Sequence, residues 1–174
     1  MEKTNNEIKK EEIAIFPASF NPIHIGHIEL IKMSATIYKT LYVFVADNES
    51  KNYQVKLEDR FKIVNKAISF LNMSNIIVIK QNNLQTTGSF TKDKKIDVVI
   101  RGNREIKLSS YESILADKYL EDNENLKFHF FSFEDEQTSS TKIRELIAND
   151  QSISGLVPKI VEKDIIKLWK NAER

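Results

Sequence analysis

Two histidines, His24 and His27, stand three positions apart around Gly26, and their types and spacing indicate chemistry more directly than any other residues. The apolar run at 13–16 predicts a buried strand before them, and the segment 28–33 predicts the start of a helix after them. A strand, a tight turn and a helix N-terminus form a phosphate-binding arrangement, because backbone N–H groups and the helix dipole favour an anion. The alternative is two unrelated loop histidines beside a turn glycine, since H-x-G-H is a short motif. The strand–turn–helix setting favours the phosphate site.

The remaining candidate residues are cations and hydroxyls. They are Ser19, Lys51, Arg101, Arg104, Ser139, Ser140 and Thr141. The chain has no cysteine, which excludes thiolate catalysis and disulfides, and no arrangement of Ser, His and a carboxylate stands out. The set suits phosphoryl or nucleotidyl transfer, in which positioning and charge stabilisation supply most of the catalysis. A protein base is unnecessary when the attacking group is itself a phosphate, which is already ionised at neutral pH.

Arginine is scarce, since five of the 26 basic residues are Arg. Where Lys supplies general surface charge, an Arg is the better candidate for a place that needs a planar, bidentate donor. Arg101 and Arg104 flank Gly102 directly after a predicted strand and are interpreted as functional. Arg60 and Arg144 are interpreted as structural.

The composition narrows the class of protein. A length of 174 residues predicts one domain, with 41% hydrophobic residues to form its core. No apolar run approaches the ~18 residues that a membrane helix needs, and the N-terminus lacks the apolar core of a secretory signal. A net charge of +1 gives no overall attraction to nucleic acid. We expect a cytoplasmic protein without a membrane or nucleic-acid partner.

Hydrophobic periodicity predicts alternating strands and helices. Residues 1–12 are polar and predict a flexible tail, followed by a single domain at 13–174. Apolar runs predict strands at 13–16, 41–46, 76–79, 96–100 and 126–133. Helical spacing predicts helices at 26–38, 57–71, 111–120, 138–148 and 158–170, and leaves 81–95 ambiguous with a possible short helix. The predicted fold is α/β, a Rossmann-like parallel five-stranded sheet with helices on both faces.

The polar clusters follow four of the predicted strands. Parallel sheets bind ligands at the carboxyl ends of their strands, near a topological switch point. The clusters around residues 19–27, 51, 101–104 and 138–141 are therefore expected to meet at one edge of the sheet. Each of them can hold a phosphate.

At these residues the chain resembles the bacterial phosphopantetheine adenylyltransferases, within the H-x-G-H nucleotidyltransferase superfamily. Five signals appear in the family's order. They are F-P-A-S-F-N-P at 16–22 with Gly26-His27, Ser50-Lys51 with L-E-D-R at 57–60, I-R-G-N-R at 100–104 with Tyr111-Glu112, S-S-T at 139–141 with I-R-E at 143–145, and S-G-L-V-P at 154–158. The R-G-x-R group is the most discriminating of them.

The resemblance implies a reaction in which ATP and 4′-phosphopantetheine give dephospho-coenzyme A and pyrophosphate, with Mg²⁺. It implies catalytic roles for His27, Lys51 and Arg101. It implies ATP contacts by Ser19, Phe20, His24, His27, Gly102, Asn103, Arg104, Glu112, Thr138, Ser139, Ser140 and Thr141. It implies acceptor contacts by Ser19, Lys51, Thr87 and Arg101. Family resemblance also implies a homo-oligomer, a hexamer.

Several positions depart from the family's pattern and keep other functions open. Ala18 replaces the usual Gly, Asn21 replaces the usual Asp, and His24 stands where Thr is common. Thr86-Thr87 falls where an apolar pair would line the pantetheine arm, and 135–137 lacks the usual adenine-side residues. One alternative is therefore another phosphorylated acceptor, such as nicotinate mononucleotide. The other is a non-catalytic homologue that binds nucleotide.

Overall fold

The computed structural model describes residues 12–47, 53–82, 84–103, 110–132 and 138–172. Its strands are β1 (Ile13–Ala18), β2 (Thr40–Val45), β3 (Ile76–Lys80), β4 (Val98–Asn103) and β5 (Lys127–Ser132). Its helices are α1 (Ile25–Ile37), α2 (Leu57–Ser69), α3 (Thr87–Asp93), α4 (Ser110–Asp122), α5 (Ser140–Ala148) and α6 (Lys159–Ala172). The predicted alternation is confirmed, and the ambiguous segment contains α3. Within the described ranges, no helix has the length and apolar character needed to cross a bilayer.

The described strands form one parallel sheet in the order β3-β2-β1-β4-β5. The chain moves from β1 out to β3 at one edge and then crosses back to β4 on the other side of β1. Connections therefore leave the two central strands in opposite directions, which places a topological switch point between β1 and β4. The predicted Rossmann-like parallel five-stranded sheet is confirmed.

β1 runs two residues beyond its predicted end, and the reason bears on the site. Its ladder with β2 continues to Ala18, whose carbonyl accepts from the amide of Ala46 at 3.0 Å. Because residues alternate sides along a parallel strand, the backbone of Pro17 faces β4, where proline has no N–H to donate. The register between β1 and β4 covers residues 14 and 15. The two central strands thus stop pairing before their carboxyl ends, which leaves a crevice at the switch point.

Helices cover both faces of the sheet, as predicted. Ala14 and Phe16 of β1 belong to the core beneath α1, α2, α5 and α6, whereas Ile15 belongs to the core beneath α3 and α4. All three residues are 5% exposed or less. A one-residue shift of this strand would move every side chain to the opposite face, so burial on both faces fixes its register. The end of β1 is therefore held firmly in place.

Candidate active site

A pocket of about 210 Å³ lies at the switch point, between the ends of β1 and β4 and the N-terminus of α1. Its wall combines apolar groups with hydrogen-bond donors. The lining residues are Phe16, Pro17, Ala18, His24, Ile25, Gly26, His27, Glu29, Leu30, Arg101, Gly102 and Thr138. Five residues predicted from the sequence to form the site are thereby brought together: His24, His27, Arg101, Gly102 and Thr138. The crevice left by the separation of β1 and β4 is the position that the fold favours for a ligand.

His24 and His27 cap the first turn of α1 reciprocally. The amide of His27 donates to Nδ1 of His24 at 3.3 Å, and the amide of His24 donates to Nδ1 of His27 at 3.2 Å. The two rings stack with their centroids 3.6 Å apart. An Nδ1 that accepts from a backbone N–H carries no proton, so each neutral ring has its proton on Nε2. The caps thereby fix both imidazoles as Nε2–H donors at the pocket wall.

Gly26 allows this close arrangement. A Cβ at Gly26 would lie 3.2 Å from both Cε1 and Nδ1 of His24, a spacing tighter than most side chains tolerate. At the start of α1, the amide of Ile25 donates to the carbonyl of Leu156 at 2.9 Å, and the amide of Ile28 to that of His24. Within the described residues no acceptor meets the amide of Gly26, which belongs to the pocket wall. An N–H in this position suits an anion at the helix N-terminus.

Phe20 supports the histidines from behind. It is 1% exposed, and its ring meets the ring of His27 edge-on at 4.9 Å and that of Phe16 at 5.5 Å. Its backbone has φ 45°, in the left-handed region that bulky residues rarely adopt. Phe20 was predicted to contact ATP. Its ring packs beneath His27, and Phe20 is absent from the described wall of the pocket, so its contact with ATP stays a prediction.

Arg101 and Gly102 lie within β4 rather than in the loop after it. The guanidinium of Arg101 donates to the carbonyl of Pro17 at 3.4 Å, across the gap between the two central strands. Arg104 lies outside the described residues, and for Asn103 the structure describes the backbone at the end of β4. Of the predicted R-G-x-R cluster, Arg101 and Gly102 therefore line the pocket.

Ser19 follows β1, and its backbone is held by a buried arginine. The guanidinium of Arg60 donates to the carbonyl of Ser19 at 2.5 Å and pairs with the carboxylate of Asp47 after β2. The ring of Tyr53 lies 4.3 Å from the centre of that guanidinium. The structural interpretation of Arg60 is confirmed. The other predicted residue of this rim, Lys51, lies outside the described residues.

The N-terminus of α5 brings the predicted hydroxyl cluster beside the turn after β1. Ser139 caps the helix, since its Oγ accepts from the amide of Lys142 at 3.1 Å. The Oγ of Ser140 donates to the carbonyl of Pro22 at 2.8 Å, and the Oγ1 of Thr141 accepts from Arg144 at 3.2 Å. These three hydroxyls thus make protein contacts, and Thr138 lines the pocket. Phosphate binding by 138–141 stays a prediction.

Two predicted residues are placed away from this pocket. Thr87 is 8% exposed in the first turn of α3, next to Thr86, whose hydroxyl caps α3 and donates to the carboxylate of Asp122 at 2.6 Å. Glu112 lies in α4, and the structure describes its backbone alone. Neither belongs to the described wall of the pocket. Their contacts to acceptor and ATP stay predictions.

The sequence interpretation missed Glu29, an exposed carboxylate on the pocket wall. Helical spacing could have found it, because residues 26, 29 and 30 share a face of α1. It also missed the packing of Trp169 and Arg144 against Asn21. No sequence signal marks those contacts, since they join residues more than 120 positions apart.

The pocket wall combines residues that can donate to an anion with apolar side chains. His24 and His27 of the α1 N-terminus and Arg101 of β4 line the pocket. Such a wall suits a reaction in which the protein supplies positioning and charge stabilisation.

Comparisons with known proteins agree with this chemistry. A family model described as cytidylyltransferase-like matches residues 15–146. The phosphopantetheine adenylyltransferase of Wigglesworthia glossinidia brevipalpis is 34% identical, over 92% of this chain and 95% of the relative. That of Bdellovibrio bacteriovorus is 33% identical, over 86% and 92%.

A solved structure shows the same fold. It is described as a nicotinate-nucleotide adenylyltransferase from Vibrio parahaemolyticus, with a TM-score of 0.67, 18% identity, and coverage of 92% of this chain and 96% of that one. At this identity the likeness supports the architecture and gives no information on the substrate. The sequence relatives and the family model together identify the chain as a member of the phosphopantetheine adenylyltransferases, within the cytidylyltransferase-like family of nucleotidyltransferases.

Proposed function

We propose that this protein transfers the adenylyl group of ATP to 4′-phosphopantetheine, releasing pyrophosphate and forming dephospho-coenzyme A. One observation carries the proposal: His27 and Arg101 line the same pocket at the switch point, one from the helix N-terminus and the other from β4. A donor for the α-phosphate and a cation for the acceptor phosphate therefore share one cavity. The activity named for relatives at 33–34% identity supports the choice of acceptor.

The proposed reaction is a direct displacement at the α-phosphorus. An oxygen of the acceptor phosphate forms a bond to that phosphorus, while the bond to the bridging oxygen breaks and its electron pair leaves with pyrophosphate. Nε2–H of His27 donates to a non-bridging α-phosphate oxygen, whose negative charge grows in the transition state. Arg101 holds the acceptor phosphate in line, and the N-terminus of α5 holds the β- and γ-phosphates.

We propose that Mg²⁺ enters as part of the substrate MgATP. Mg²⁺ commonly binds through substrate phosphates and retained waters, with one or two protein carboxylates. Across the described ranges no group of three or more His, Cys, Asp or Glu side chains could hold a metal ion. The donors on the pocket wall suit the phosphates, which would carry the ion.

A second candidate acceptor is nicotinate mononucleotide. The observation that favours it is His24, which stands where the family commonly has Thr and stacks on His27 in the pocket wall. The two acceptors share the phosphate chemistry and differ in the group beyond it.

An acceptor screen decides between them. Purified protein is incubated with MgATP and each acceptor in turn, and pyrophosphate release is measured. We expect turnover with 4′-phosphopantetheine, and a loss of roughly 10²–10³ in kcat for His27→Ala, the scale for removing one preorganised donor. His129→Ala is the matched control, because His129 bonds Tyr38 and is absent from the described pocket wall.

Each result of the screen has a defined meaning. Product with nicotinate mononucleotide alone would contradict the first choice of acceptor. ATP binding without product from either acceptor would favour the non-catalytic homologue. Light scattering on the same sample tests the homo-oligomer that we propose from family resemblance.

A further inference from the structure

Hydrogen bonds from the last two helices hold the turn between β1 and α1. Nε1–H of Trp169, on α6, donates to Oδ1 of Asn21 at 2.9 Å. The guanidinium of Arg144, on α5, donates to the backbone carbonyl of Asn21 at 2.6 Å. The hydroxyl of Ser140 donates to the carbonyl of Pro22 at 2.8 Å. The turn is thus fastened at two consecutive residues by side chains that do not belong to the described pocket wall.

The bond from Trp169 differs from the others because its acceptor is a side chain. The indole is 2% exposed and has a single N–H, and a buried donor without an acceptor is destabilising. Oδ1 of Asn21 is that acceptor, so the pair orients the Asn21 side chain. The bond depends on a side-chain acceptor at position 21, whereas the bonds of Arg144 and Ser140 would survive any residue there.

A short route leads from Asn21 to the proposed catalytic imidazole. The preceding residue, Phe20, has φ 45°, and such a conformation persists at a bulky residue only when its surroundings hold it. The ring of Phe20 meets His27 edge-on at 4.9 Å and is 1% exposed. A shift of Asn21 would move the adjacent Phe20 backbone, and the Phe20 ring would then displace the imidazole that it supports.

We propose that Trp169 is a positioning residue for adenylyl transfer, acting through its hydrogen bond to Asn21 on the backbone of Phe20 and thereby on the ring of His27. The proposal rests on the proposed function for its catalytic consequence. Its structural consequence, the orientation of His27, is independent of which acceptor the enzyme uses. A residue of the last helix, outside the pocket wall, thus sets the geometry of the transfer step.

The test removes one donor while keeping an aromatic side chain. Trp169→Phe deletes the N–H, Asn21→Leu deletes the acceptor, and Asn21→Asp retains an acceptor oxygen. Lys170→Met is the matched control, because it breaks an exposed ion pair between α6 and Asp150 and leaves Asn21 untouched. Two readouts are compared: kcat and KM for ATP, and the ring ¹⁵N chemical shifts of His27.

We expect Trp169→Phe and Asn21→Leu each to lower kcat by about 10- to 100-fold, the scale for a misplaced catalytic group, with KM for ATP nearly unchanged. The double variant should lose no more than the larger single loss, because both changes remove one bond. Asn21→Asp should retain most of kcat. In the two damaging variants the His27 nitrogens should lose their distinct shifts, whereas Lys170→Met should keep both kcat and shifts.

Two outcomes are decisive against the proposal. Unchanged His27 shifts and unchanged kcat in Trp169→Phe would overturn it, even if the melting temperature falls. Equal losses in Trp169→Phe and Lys170→Met would reduce Trp169 to a packing residue. If the wild type releases no pyrophosphate with either acceptor, the proposed function fails, and the ring shifts still decide whether Trp169 positions His27.

Discussion

Two arginines flank the carboxyl end of β1, and the regions around them differ in how many protein acceptors each guanidinium meets. Arg60, from α2, is 0% exposed and pairs with the carboxylate of Asp47. It also donates to backbone carbonyls, those of Val55, Ser19 and Ala46 at 3.1, 2.5 and 3.4 Å. Arg101, from β4, is half-buried on the pocket wall, and in the described part of the chain its guanidinium makes one hydrogen bond, to Pro17 at 3.4 Å.

The same chemical group thus stands in two different environments at the same site. A guanidinium has five N–H donors in a planar fork. Protein acceptors surround those of Arg60, which joins the loops after β1 and β2. Among the described residues the fork of Arg101 has one long contact, and its remaining donors suit a phosphate in the pocket. Arg60 therefore supports the shape of the rim, and a role toward the ligand stays a proposal for Arg101.

The largest expected effect is on stability, from Arg60→Ala. The carbonyls that it serves would lose a charged donor inside the protein, and a cavity would remain, for a loss of about 3 kcal/mol in the free energy of unfolding. The half-exposed carboxylate of Asp47 regains water, which keeps the loss from being larger. Urea denaturation measures the change.

Arg60→Lys is the control for charge alone. It keeps a cation but loses the fork, so an intermediate loss is expected. A change below about 0.5 kcal/mol for Arg60→Ala, the range of ordinary surface substitutions, would break the comparison by showing that its protein contacts contribute little.

The second expected effect is on turnover, from Arg101→Ala. Loss of the cation that orients the acceptor phosphate should lower kcat/KM for the acceptor by roughly 10²–10³. The unfolding free energy should change little, because the residue's described protein contact is one long hydrogen bond. Pyrophosphate release and urea denaturation of the same sample separate the two quantities.

The control is Arg101→Lys, which keeps a point charge without bidentate geometry and should recover part of the lost activity. Unchanged turnover together with a loss of stability like that of Arg60→Ala would reverse the two assignments.

A third and smaller effect on turnover is expected from Gly26→Ala. Gly26 lies, like Arg101, in the pocket wall. The new Cβ would press on the His24 ring, 3.2 Å away, and disturb the stack that fixes His27. A displacement of a few tenths of an ångström should lower kcat about tenfold. The higher helix propensity of Ala offsets part of the strain, so the melting temperature should change little.

Thr36→Ala, at an exposed position of the same helix, controls for general effects on α1. Full activity in Gly26→Ala would show that the His24–His27 stack tolerates displacement. The expectation that turnover requires the two histidines to be held in fixed positions would then be wrong.

The sequence predicted which strands and helices form better than the residues at which they end. Continuous apolar runs such as 41–46 marked strands buried on both faces, and polar groups at their ends marked the ligand edge. The predicted end of β1 is two residues too early, because the apolar run stops at Phe16 whereas the strand continues through Pro17, which has no N–H to offer across the gap beside β4. Local pattern gives no information on which neighbour a strand residue faces.

The residues in and around the site divide in the same way, into those that a local motif predicts and those that depend on distant packing. His24, His27 and Arg101 were predicted because their motifs are local and their chemistry follows from residue type. The holding of the turn by Trp169 and Arg144 was not, because it depends on the packing of α5 and α6 against residues far away in the sequence. Arg60 and Arg144 show the intermediate case: their structural roles were predicted, but their acceptors were not.

The smallest expected effect concerns Ser34, which supplies the third case in the comparison of buried polar groups. Like Arg60 it is 0% exposed, but within the described residues its Oγ has no hydrogen-bond partner. If satisfied hydrogen bonds are what make Arg60 stabilising, then removing an unsatisfied hydroxyl should help. Ser34→Ala is expected to raise the free energy of unfolding by about 1 kcal/mol, from relief of the desolvation penalty and from higher helix propensity.

Calorimetry should show a rise of roughly 2–4 °C in the melting temperature for a gain of that size in a chain of this length. Ser69→Ala is the matched control, because the Ser69 hydroxyl is exposed and donates to the carbonyl of Lys66 at 2.8 Å, so no comparable gain is expected. A loss of stability in Ser34→Ala would mean that its hydroxyl has a partner in solution, such as a buried water. The burial of a polar group and its hydrogen bonding must therefore be judged together. Arg60 and Ser34 are equally buried, and the hydrogen bonds that each one makes separate a stabilising group from a costly one.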